Sequence, residues 1–263
     1  MEATEAVSAA GVFADDSSIR DLTIRALEPC DAQDVKLVCN QLFPIDYTDE
    51  WFENICSSAR FFTLAVFVNG RLIGLLVAEI RHHSKINLED DGLLGSFFPD
   101  TAQAAYIMSL GVLQPYRRHR LASTLLDHLL QYLTSGDRVD TVRCVFLHTM
   151  SDNTAAISFY YRHHFRQHRL LKEYYVINES NGDAICFVRY LNGVSPPMSF
   201  WDFISFLGSR CFMPSACLGC MMRCVRVVRQ LFASVVEHKN PAVGNGCSAG
   251  AADMAKEDAK LMA

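Results

Sequence analysis

Hydrophobic positions along the chain follow either a strand-like or a helical pattern, and the clearest change from one to the other lies between residues 104 and 133. Residues 104–113 are apolar at nearly every position, which predicts a strand buried on both faces. A short basic turn follows at residues 114–120, and residues 121–133 then repeat leucine at helical spacing. The predicted buried stripe of this helix consists of Leu121, Leu125, Leu126, Leu129, Leu130 and Leu133.

Six further apolar runs predict strands around this unit, and three segments with helical periodicity predict helices. The strands are expected at 19–27, 61–68, 72–80, 142–149, 166–178 and 184–191, and the helices at 32–42, 49–55 and 153–160. Asn69-Gly70 and Asn181-Gly182 predict two hairpin turns. The order of elements predicts an α/β fold, with a mixed, mostly antiparallel central sheet and helices on both faces, ending near Asn192.

Composition and charge narrow the classes of function. The chain has 263 residues, 50% of them hydrophobic, which is enough for one good core plus extensions. The net charge of −5 argues against a nucleic-acid-binding protein. No uncharged apolar run reaches the ~18 residues that a membrane-spanning helix needs. Five cysteines in apolar surroundings are expected to be buried free thiols of a reducing compartment: Cys30, Cys39, Cys56, Cys144 and Cys186.

The basic turn at residues 114–120 is a candidate anion site. Free backbone amides and the positive end of the helix dipole meet there, next to three arginines. An ordinary strand-to-helix connection has the same pattern, so this segment alone leaves both interpretations open.

The element order, with YIMSLGV running into RRHRLA, resembles the GNAT acetyltransferases. The segments FPIDY, FFTLAV, VAEI and LHTMSDNTAAISFY, with Tyr174-Tyr175, narrow the resemblance to the membrane-associated N-terminal acetyltransferases of the NatF type, over residues 22–193. Each motif alone is weak, but together and in order they are specific. The resemblance implies a splay between the two central strands that binds acetyl-CoA, and acetyl transfer to the N-terminal α-amine of proteins.

The resemblance assigns the acetyl-CoA site to the central strand, the basic turn and the helix that begins near residue 153. In one departure, Arg120 stands where the family's R-x-x-G-x-A turn has a glycine that allows close backbone approach. An arginine in ordinary helical geometry can still present its amide, and its guanidinium suits a phosphate, or it can crowd the cofactor. Asn153 is equally a candidate helix N-cap. The implied contacts are Leu110, Gly111, Val112, Arg117, Arg118, His119, Arg120, Leu121, Ala122, Ser123, Asn153 and Tyr160.

Tyr106 and His148, on the two central strands, are implied to remove the proton, directly or through water. Reference pKa values of about 6.5 for histidine and about 10 for tyrosine make His148 the better acceptor and Tyr106 a relay. Without the resemblance, both are equally explained as hydrogen-bonded core residues. A backbone N–H near Val112 is expected to polarise the thioester carbonyl. One modest base suits an α-amine, whose pKa is about 8, better than lysine at about 10.4.

The resemblance places the substrate between the FPIDY loop and the tandem tyrosines. An apolar pocket of Phe43, Ile45 and Tyr175 would suit an initiator methionine, followed for example by lysine, valine or alanine. Asp46 could attract a following basic residue or orient the amine, and the tyrosines could instead simply fill an amphipathic strand. The implied contacts are Phe43, Pro44, Ile45, Asp46, Tyr47, Tyr174 and Tyr175.

No metal is expected to bind. His82-His83 and His163-His164 are adjacent pairs, and neighbouring residues on a strand face opposite sides. No carboxylates recur near them at ligand spacing.

The chain divides into five predicted parts. A disordered N-terminus at 1–18 precedes the acetyltransferase domain at 19–193 and a proline linker at 194–197, and a disordered tail at 237–263 ends the chain. Residues 198–236 contain four arginines, one acid and aromatic apolar faces, which favours two amphipathic helices lying in a membrane interface over helices packed on the domain. Four cysteines there favour S-palmitoylation over zinc: Cys211, Cys217, Cys220 and Cys224.

The pattern of residues 198–236 predicts an enzyme at a membrane, the resemblance implies that its catalytic domain faces the cytosol, and a monomer is favoured. The resemblance implies the Golgi in animals and the plasma membrane in plants, with membrane-protein N-termini as substrates and no nucleic acid partner. One alternative is a lysine acetyltransferase acting on histones. Another is a membrane adaptor with a GNAT fold that has lost cofactor binding through Arg120.

Overall fold

The computed structural model describes residues 7–8, 21–45, 47–90, 92–94, 98–99, 101–177 and 180–195. The strands are β1 (Val7–Ser8), β2 (Leu22–Arg25), β3 (Phe61–Val68), β4 (Arg71–His82), β5 (Gln103–Val112), β6 (Val142–Met150), β7 (Arg166–Ile177) and β8 (Ser180–Tyr190). The α-helices are α1 (Ala32–Leu42), α2 (Asp49–Ser57), α3 (Leu121–Leu133), α4 (Arg138–Thr141) and α5 (Thr154–Arg162). Short 3₁₀ helices lie at Pro29–Asp31, His83–Lys85, Leu88–Asp90 and Gln114–Tyr116.

Several predicted features lie outside the described residues. These are the amphipathic helices at 198–236 with their cysteines, the tail at 237–263, the two linker prolines and Asp46. Within the N-terminus that was predicted to be disordered, Val7 and Ser8 pair with β2. Among the described helices, none is long and apolar enough to cross a membrane.

The eight described strands form one mixed sheet in the order β1-β2-β3-β4-β5-β6-β8-β7. All neighbours are antiparallel except β5 and β6, which run parallel. Their pairing ends at Ile107 and Leu147, although β5 continues to Val112 and β6 to Met150. The two central strands therefore separate at their carboxyl ends, which confirms the predicted splay.

Helices cover both faces of the sheet, as the sequence predicted. α3 and α5 pack on one face, and all six leucines of the predicted α3 stripe are buried there. α1 and α2 pack on the other face, around Val35, Phe52 and Ile55. Because burial of each leucine contributes about 1.5–3 kcal/mol, this stripe fixes the start of α3 against the end of β5.

One of the two predicted hairpin turns is confirmed. Asn69 and Gly70 both have positive φ, 50° and 74°, as a two-residue turn between β3 and β4 requires.

The other predicted turn is wrong, because Asn181-Gly182 lies inside β8. Ile177 pairs with Ser180, and Asn181 pairs with Val176. A β-bulge in β7, where Glu173 has φ of 53°, shifts the register of this hairpin. Apolar pairing beyond the bulge, such as Leu171 with Ala184, therefore decides the register, and the local Asn-Gly signal does not.

The cysteine prediction holds for four residues and is wrong for one. All five described cysteines are free; Cys39, Cys56, Cys144 and Cys186 are buried, but Cys30 is exposed. Cys30 lies in the 3₁₀ turn before α1, where the chain has not yet entered the core. Burial raises the pKa of Cys39 to about 12, so this thiol stays protonated.

Candidate active site

A cavity of about 370 Å³ opens where β5 and β6 separate. Its walls are the ends of both strands, the loop after α1, the first turns of α3 and α5, and one residue of β7. Most of the predicted site residues meet there: Phe43, Pro44, Ile45, Tyr47, Tyr106, Leu110, Gly111, Val112, Arg117, Ala122, His148, Asn153, Tyr160 and Tyr175.

The backbone of β5 presents unpaired groups to this cavity. The N–H of Leu113 donates to the carbonyl of Ile73 on β4 at 2.8 Å. Because successive residues of a strand alternate their hydrogen-bonding side, the N–H groups of Val112 and Leu110 point to the side from which β6 has departed. An extended chain with amide groups, such as a pantetheine arm, can pair with this free edge.

The basic turn lies at one end of the cavity, and its conformation is not the ordinary helical geometry considered for Arg120. Arg118 and Arg120 are not in helical geometry but have left-handed φ values of 73° and 61°. The first helical hydrogen bond of α3 runs from the Thr124 N–H to the Arg120 carbonyl at 2.9 Å. The amides of the preceding residues therefore remain available to an anion.

Other side chains of the turn hold the structure together. The Arg117 Nε donates to the Val112 carbonyl at 2.9 Å, which ties the turn to the end of β5. Leu121 is buried in the core, so only its backbone can face a ligand. Ser123 Oγ lies 3.0 Å from His163 Nε2, and His119 Nδ1 lies 3.4 Å from the Tyr116 carbonyl. The side chains of Arg118 and Arg120 are exposed outside the cavity wall.

Replacing Arg120 by glycine is expected to stabilise the protein. A non-glycine residue in left-handed geometry destabilises the folded state by about 1–2 kcal/mol. Glycine removes this strain, but part of the gain is lost because glycine loses more conformational entropy on folding. The net gain of about 0.5–1 kcal/mol should raise the Tm by about 1–4 °C in differential scanning calorimetry.

Arg120→Ala is the matched control for this prediction. Alanine removes the same charge but keeps the side-chain clash, so its Tm should not rise. An equal rise in both variants would show that charge repulsion, and not backbone strain, is relieved. Acetyl-CoA binding that appears only in Arg120→Gly would favour the adaptor alternative.

His148 is the centre of a buried hydrogen-bond network. Its Nδ1 lies 3.3 Å from the Tyr106 hydroxyl and 3.2 Å from the Tyr174 hydroxyl. Its Nε2 lies 2.8 Å from Asp90 Oδ1, and the two side chains are only 2% and 3% exposed. An ionised carboxylate only accepts hydrogen bonds, so Nε2 carries the proton and Nδ1 keeps its lone pair for the tyrosine side.

The two tyrosines beside His148 remain protonated. Burial is the main cause that raises the pKa of Tyr106 well above its usual value, with smaller contributions from Tyr174 and Asp90. Burial likewise raises the pKa of Tyr174. Neutral hydroxyls so close to an imidazole nitrogen can donate to it and pass a proton along, but neither can serve as a base.

Asp90 is the site residue that sequence reasoning missed. It ends the 3₁₀ helix Leu88–Asp90, inside the segment between the strands predicted at 72–80 and from 104, for which the sequence predicted no helix or strand. That segment has no hydrophobic period and several acids, so no pattern distinguishes Asp90 from Glu89 or Asp91. The nearest signal is an apolar pair just after it, Leu93-Leu94, which is buried and anchors the loop over the sheet.

The predicted substrate walls face each other across the cavity. Tyr47 stacks on Trp51 with ring centroids 4.1 Å apart, and its hydroxyl lies 3.4 Å from Ser109 Oγ. Thr48 caps α2 by accepting from the Trp51 N–H, which fixes this stack. On the opposite side Tyr175 is buried and lines the cavity.

Asn153 at the start of α5 and Tyr174 on β7 are two further residues for which the sequence predicted a role. Asn153 accepts from the Ala156 N–H at 3.1 Å, so the N-cap interpretation is correct, and it also lines the cavity. Tyr174 was predicted as a wall residue, yet its hydroxyl joins the network of His148.

Three donor atoms in the described part of the chain are close enough to consider a metal. Asp90, His148 and Cys186 bring one ligand atom each within 4.8 Å of the others. Hydrogen bonds explain this cluster, because Asp90 Oδ1 accepts from His148 and lies 3.7 Å from Cys186 Sγ. Burial also raises the pKa of the Cys186 thiol, so it lacks the thiolate character of a metal ligand. We assign no metal to the site.

Comparisons with known proteins agree with this geometry. Residues 31–165 match the family described as the acetyltransferase (GNAT) family. N-alpha-acetyltransferase 60 of Danio rerio is 36% identical over 201 residues, which cover 76% of this chain and 83% of that protein. The histone acetyltransferase MCC1 of Arabidopsis thaliana is 31% identical over 204 residues, covering 71% and 80%.

Solved structures give the same answer for the fold. Arabidopsis thaliana NAA60 in complex with a bisubstrate analogue superposes with a TM-score of 0.59 at 29% identity, over 66% of this chain and 99% of that one. The same protein in complex with acetyl-CoA gives a TM-score of 0.58, over 65% and 99%. The splayed strands, the amide-rich turn and these relatives lead to one conclusion: the chain belongs to the GNAT acetyltransferase family, among its N-alpha-acetyltransferases.

Proposed function

We propose that this N-alpha-acetyltransferase moves the acetyl group of acetyl-CoA directly to the α-amine of Met-starting proteins, with His148 as the base. The observation that carries the mechanism is the network in which Asp90 fixes the His148 tautomer and two neutral tyrosines face its free nitrogen. No side chain is required as a nucleophile, because holding the two substrates together supplies much of the rate.

The residues around the splay fit acetyl-CoA. The free edge of β5 suits its pantetheine arm, and the amides before Thr124 suit its diphosphate. When bound, acetyl-CoA would supply a thioester carbonyl whose carbon accepts the amine nitrogen, and its C–S bond would break so that coenzyme A leaves as the free thiol. The N–H of Val112 or Leu110 is the donor that would stabilise the negative charge on that carbonyl oxygen.

The proton leaves the amine by a relay. The His148 imidazole is 2% exposed, so a substrate amine in the cavity does not reach it directly. Tyr106 lines the cavity and its hydroxyl faces His148 Nδ1, so its hydroxyl, alone or with a water, passes the proton to that nitrogen. Asp90 then stabilises the imidazolium, as a carboxylate does for the histidine of a catalytic triad.

The pocket favours an unbranched apolar first residue. Phe43, Ile45, Tyr47 and Tyr175 line the cavity with apolar or aromatic surface, which matches the flexible thioether of methionine. Met-Lys, Met-Val and Met-Ala peptides should therefore react faster than Ser-starting peptides of the same length. Equal kcat/KM values for the methionine and serine peptides would contradict the pocket assignment.

Lysine acetylation is the second candidate activity. A relative that is 31% identical in sequence is named a histone acetyltransferase, which supports lysine acetylation as an alternative activity. The site argues for the α-amine, because its single base is buried and lysine needs more help to lose its proton. A peptide with a blocked N-terminus separates the two activities.

We propose further that the enzyme works on the cytosolic face of a membrane, that of the Golgi or, in a plant, the plasma membrane. Its substrates there are the N-termini of membrane proteins. The support is the basic amphipathic pattern of residues 198–236. In a vesicle flotation assay, the full chain should float, and a chain ending at Pro197 should stay at the bottom. Equal flotation of the full and the shortened chain would contradict the membrane proposal. Acetylation of a soluble peptide by the shortened chain is the control that shows it to be folded.

A further inference from the structure

Among the large hydrophobic side chains of the described residues, three of the most exposed lie together at one edge of the sheet. Tyr161, Leu170 and Val176 are 50%, 45% and 64% exposed. β7 is the last strand in the sheet order, so its outer backbone has no partner strand among the described elements. Exposed apolar residues are ordinary when scattered, but three on one edge form a patch that calls for a partner.

The strand register puts the three side chains on one face. Leu170 pairs with Ile185, and Val176 pairs with Asn181, four residues away on β8. The ring of Tyr161 packs edge-on against the ring of Phe187, with the ring centroids 5.2 Å apart. Phe187 lies on β8 two residues after Ile185, in the direction away from Asn181. Positions two or four apart on a strand share a face, so the patch follows β7 on the side covered by α5.

Positive charge surrounds this patch. Arg162 follows Tyr161 at the end of α5, and Lys172 lies two residues after Leu170 on β7. Arg166, at the start of β7, pairs with Val188 and so borders the same edge from the opposite face of the strand; all three cations are exposed. Glu173 is the acid on this strand. We name this set of apolar and basic side chains (Tyr161, Leu170, Val176, Arg162, Arg166 and Lys172) the β7 edge surface. The surface combines apolar anchors with cations, which is the chemistry that an anionic lipid headgroup layer attracts.

We propose that the β7 edge surface rests on an anionic lipid bilayer during catalysis, an inference that rests on the proposed membrane function. Charge complementarity supports this occupant, because exposed apolar side chains of the surface are accompanied by three exposed cations.

This orientation also brings the catalytic cavity close to the bilayer. Tyr175, a wall of the cavity, is the direct neighbour of Val176 on β7. An N-terminus that emerges from the membrane by only a short stretch can then enter the cavity beside Tyr106. The substrate class that benefits is the membrane protein with a short cytosolic N-terminal segment.

A second copy of this chain fits the surface less well. Edge-to-edge pairing of two β7 strands around a two-fold axis would bring the basic residues of both copies together, and like charges facing each other are destabilising. Charged side chains on an edge strand are a common means to prevent such pairing.

The test compares one Met-starting peptide in two forms with the full chain. One form is soluble, and the other carries a lipid anchor in phosphatidylcholine vesicles with or without phosphatidylserine. The double variant Arg166→Glu/Lys172→Glu removes the attraction, and Leu170→Ser/Val176→Ser removes the apolar anchors. Arg71→Glu and Leu37→Ser, at exposed positions on β4 and α1, are the matched controls.

Both edge variants should acetylate the anchored peptide at least about tenfold more slowly on anionic vesicles, because each lost basic contact weakens attraction severalfold. Their rates on the soluble peptide, their Tm values and the rates of both controls should match the native chain. An unchanged rate on the anchored peptide would overturn the inference, as would edge variants that only convert a dimer to a monomer in sedimentation. A native chain that fails on the soluble peptide would instead contradict the proposed function itself.

Discussion

Replacing His148 by alanine is expected to lower kcat at least about tenfold while acetyl-CoA binds with unchanged affinity. A positioned general base contributes about 10²–10⁴ to rate, and water in the vacated space can replace part of it. The hydrogen bonds of the His148 side chain go to Tyr106, Tyr174 and Asp90, whereas the cofactor is expected to pair with the free backbone edge of β5. The measurement is steady-state kinetics on a Met-starting peptide beside calorimetric titration with acetyl-CoA.

Two further variants make this result specific. His82→Ala removes an exposed histidine at the end of β4 and should leave kcat unchanged. Asp90→Asn keeps the shape of the side chain, but its amide can donate to Nε2 and move the histidine proton to Nδ1. That tautomer has no acceptor for the tyrosines, so kcat should again fall at least about tenfold. Full activity in Asp90→Asn would contradict the tautomer assignment. Full activity in His148→Ala would contradict the assignment of His148 as the base.

Replacing Gly74 by alanine is expected to destabilise the fold and weaken acetyl-CoA binding together. A Cβ at this position would lie 2.8 Å from the Gly111 carbonyl oxygen and 3.2 Å from the Val112 Cα. Both atoms belong to the backbone of β5, so the strand itself must shift. Overpacking of this kind costs about 1–3 kcal/mol, which should lower the Tm by several degrees. The shifted residues are those whose free edge fits the pantetheine arm, so Kd for acetyl-CoA should rise.

Gly182→Ala is the matched control, because it adds the same methyl group to another strand. Its Cβ would meet only Tyr175 Cβ at 3.7 Å and Met150 Cε at 3.9 Å, which are ordinary contacts. Its Tm should be unchanged or slightly higher, since alanine loses less entropy on folding than glycine. If Gly74→Ala binds acetyl-CoA as tightly as the native chain, the free edge of β5 is not the cofactor site.

The part of the fold that carries the cofactor cavity was predictable because its signals are long and periodic. Residues of β5 and the six leucines of α3 were assigned from period alone, and both elements are present with bounds close to the prediction. The splay itself came from the family resemblance. Nothing in the sequence of β6 marks Leu147 as its last pair with β5.

Two features that the sequence did not reveal depend on contacts between distant segments. Asn181-Gly182 is a strong local turn signal, but the bulge at Glu173 and the apolar pairing of β7 with β8 move the turn elsewhere. For Arg120 the sequence left open whether the residue presents its amide in ordinary helical geometry or crowds the cofactor, and it did not indicate the positive φ that is found. The packing of Leu121 in the core and the bond from Arg117 to Val112 fix both ends of the turn and hold Arg120 in the left-handed region.

The partners of a site residue were harder to predict than the residue. Tyr106 and His148 were identified through the resemblance, yet Asp90 lies 58 residues before His148 in a segment without period. Tyr174 was assigned to the substrate wall, together with Tyr175, through the same resemblance. The bulge at Glu173 lets its hydroxyl reach the imidazole instead. Hydrogen-bond geometry of this kind is set by the folded chain and leaves no local signal.

The most direct test of the account is acetyl transfer by the full chain to two Met-Lys peptides that differ only at the N-terminus. One has a free α-amine and the other carries a propionyl block, while both keep the lysine side chain. The free peptide is expected to be acetylated at its N-terminal residue, located by mass spectrometry, and the blocked peptide is expected not to react. Transfer to the lysine of the blocked peptide at a similar rate would contradict this expectation and identify a lysine acetyltransferase.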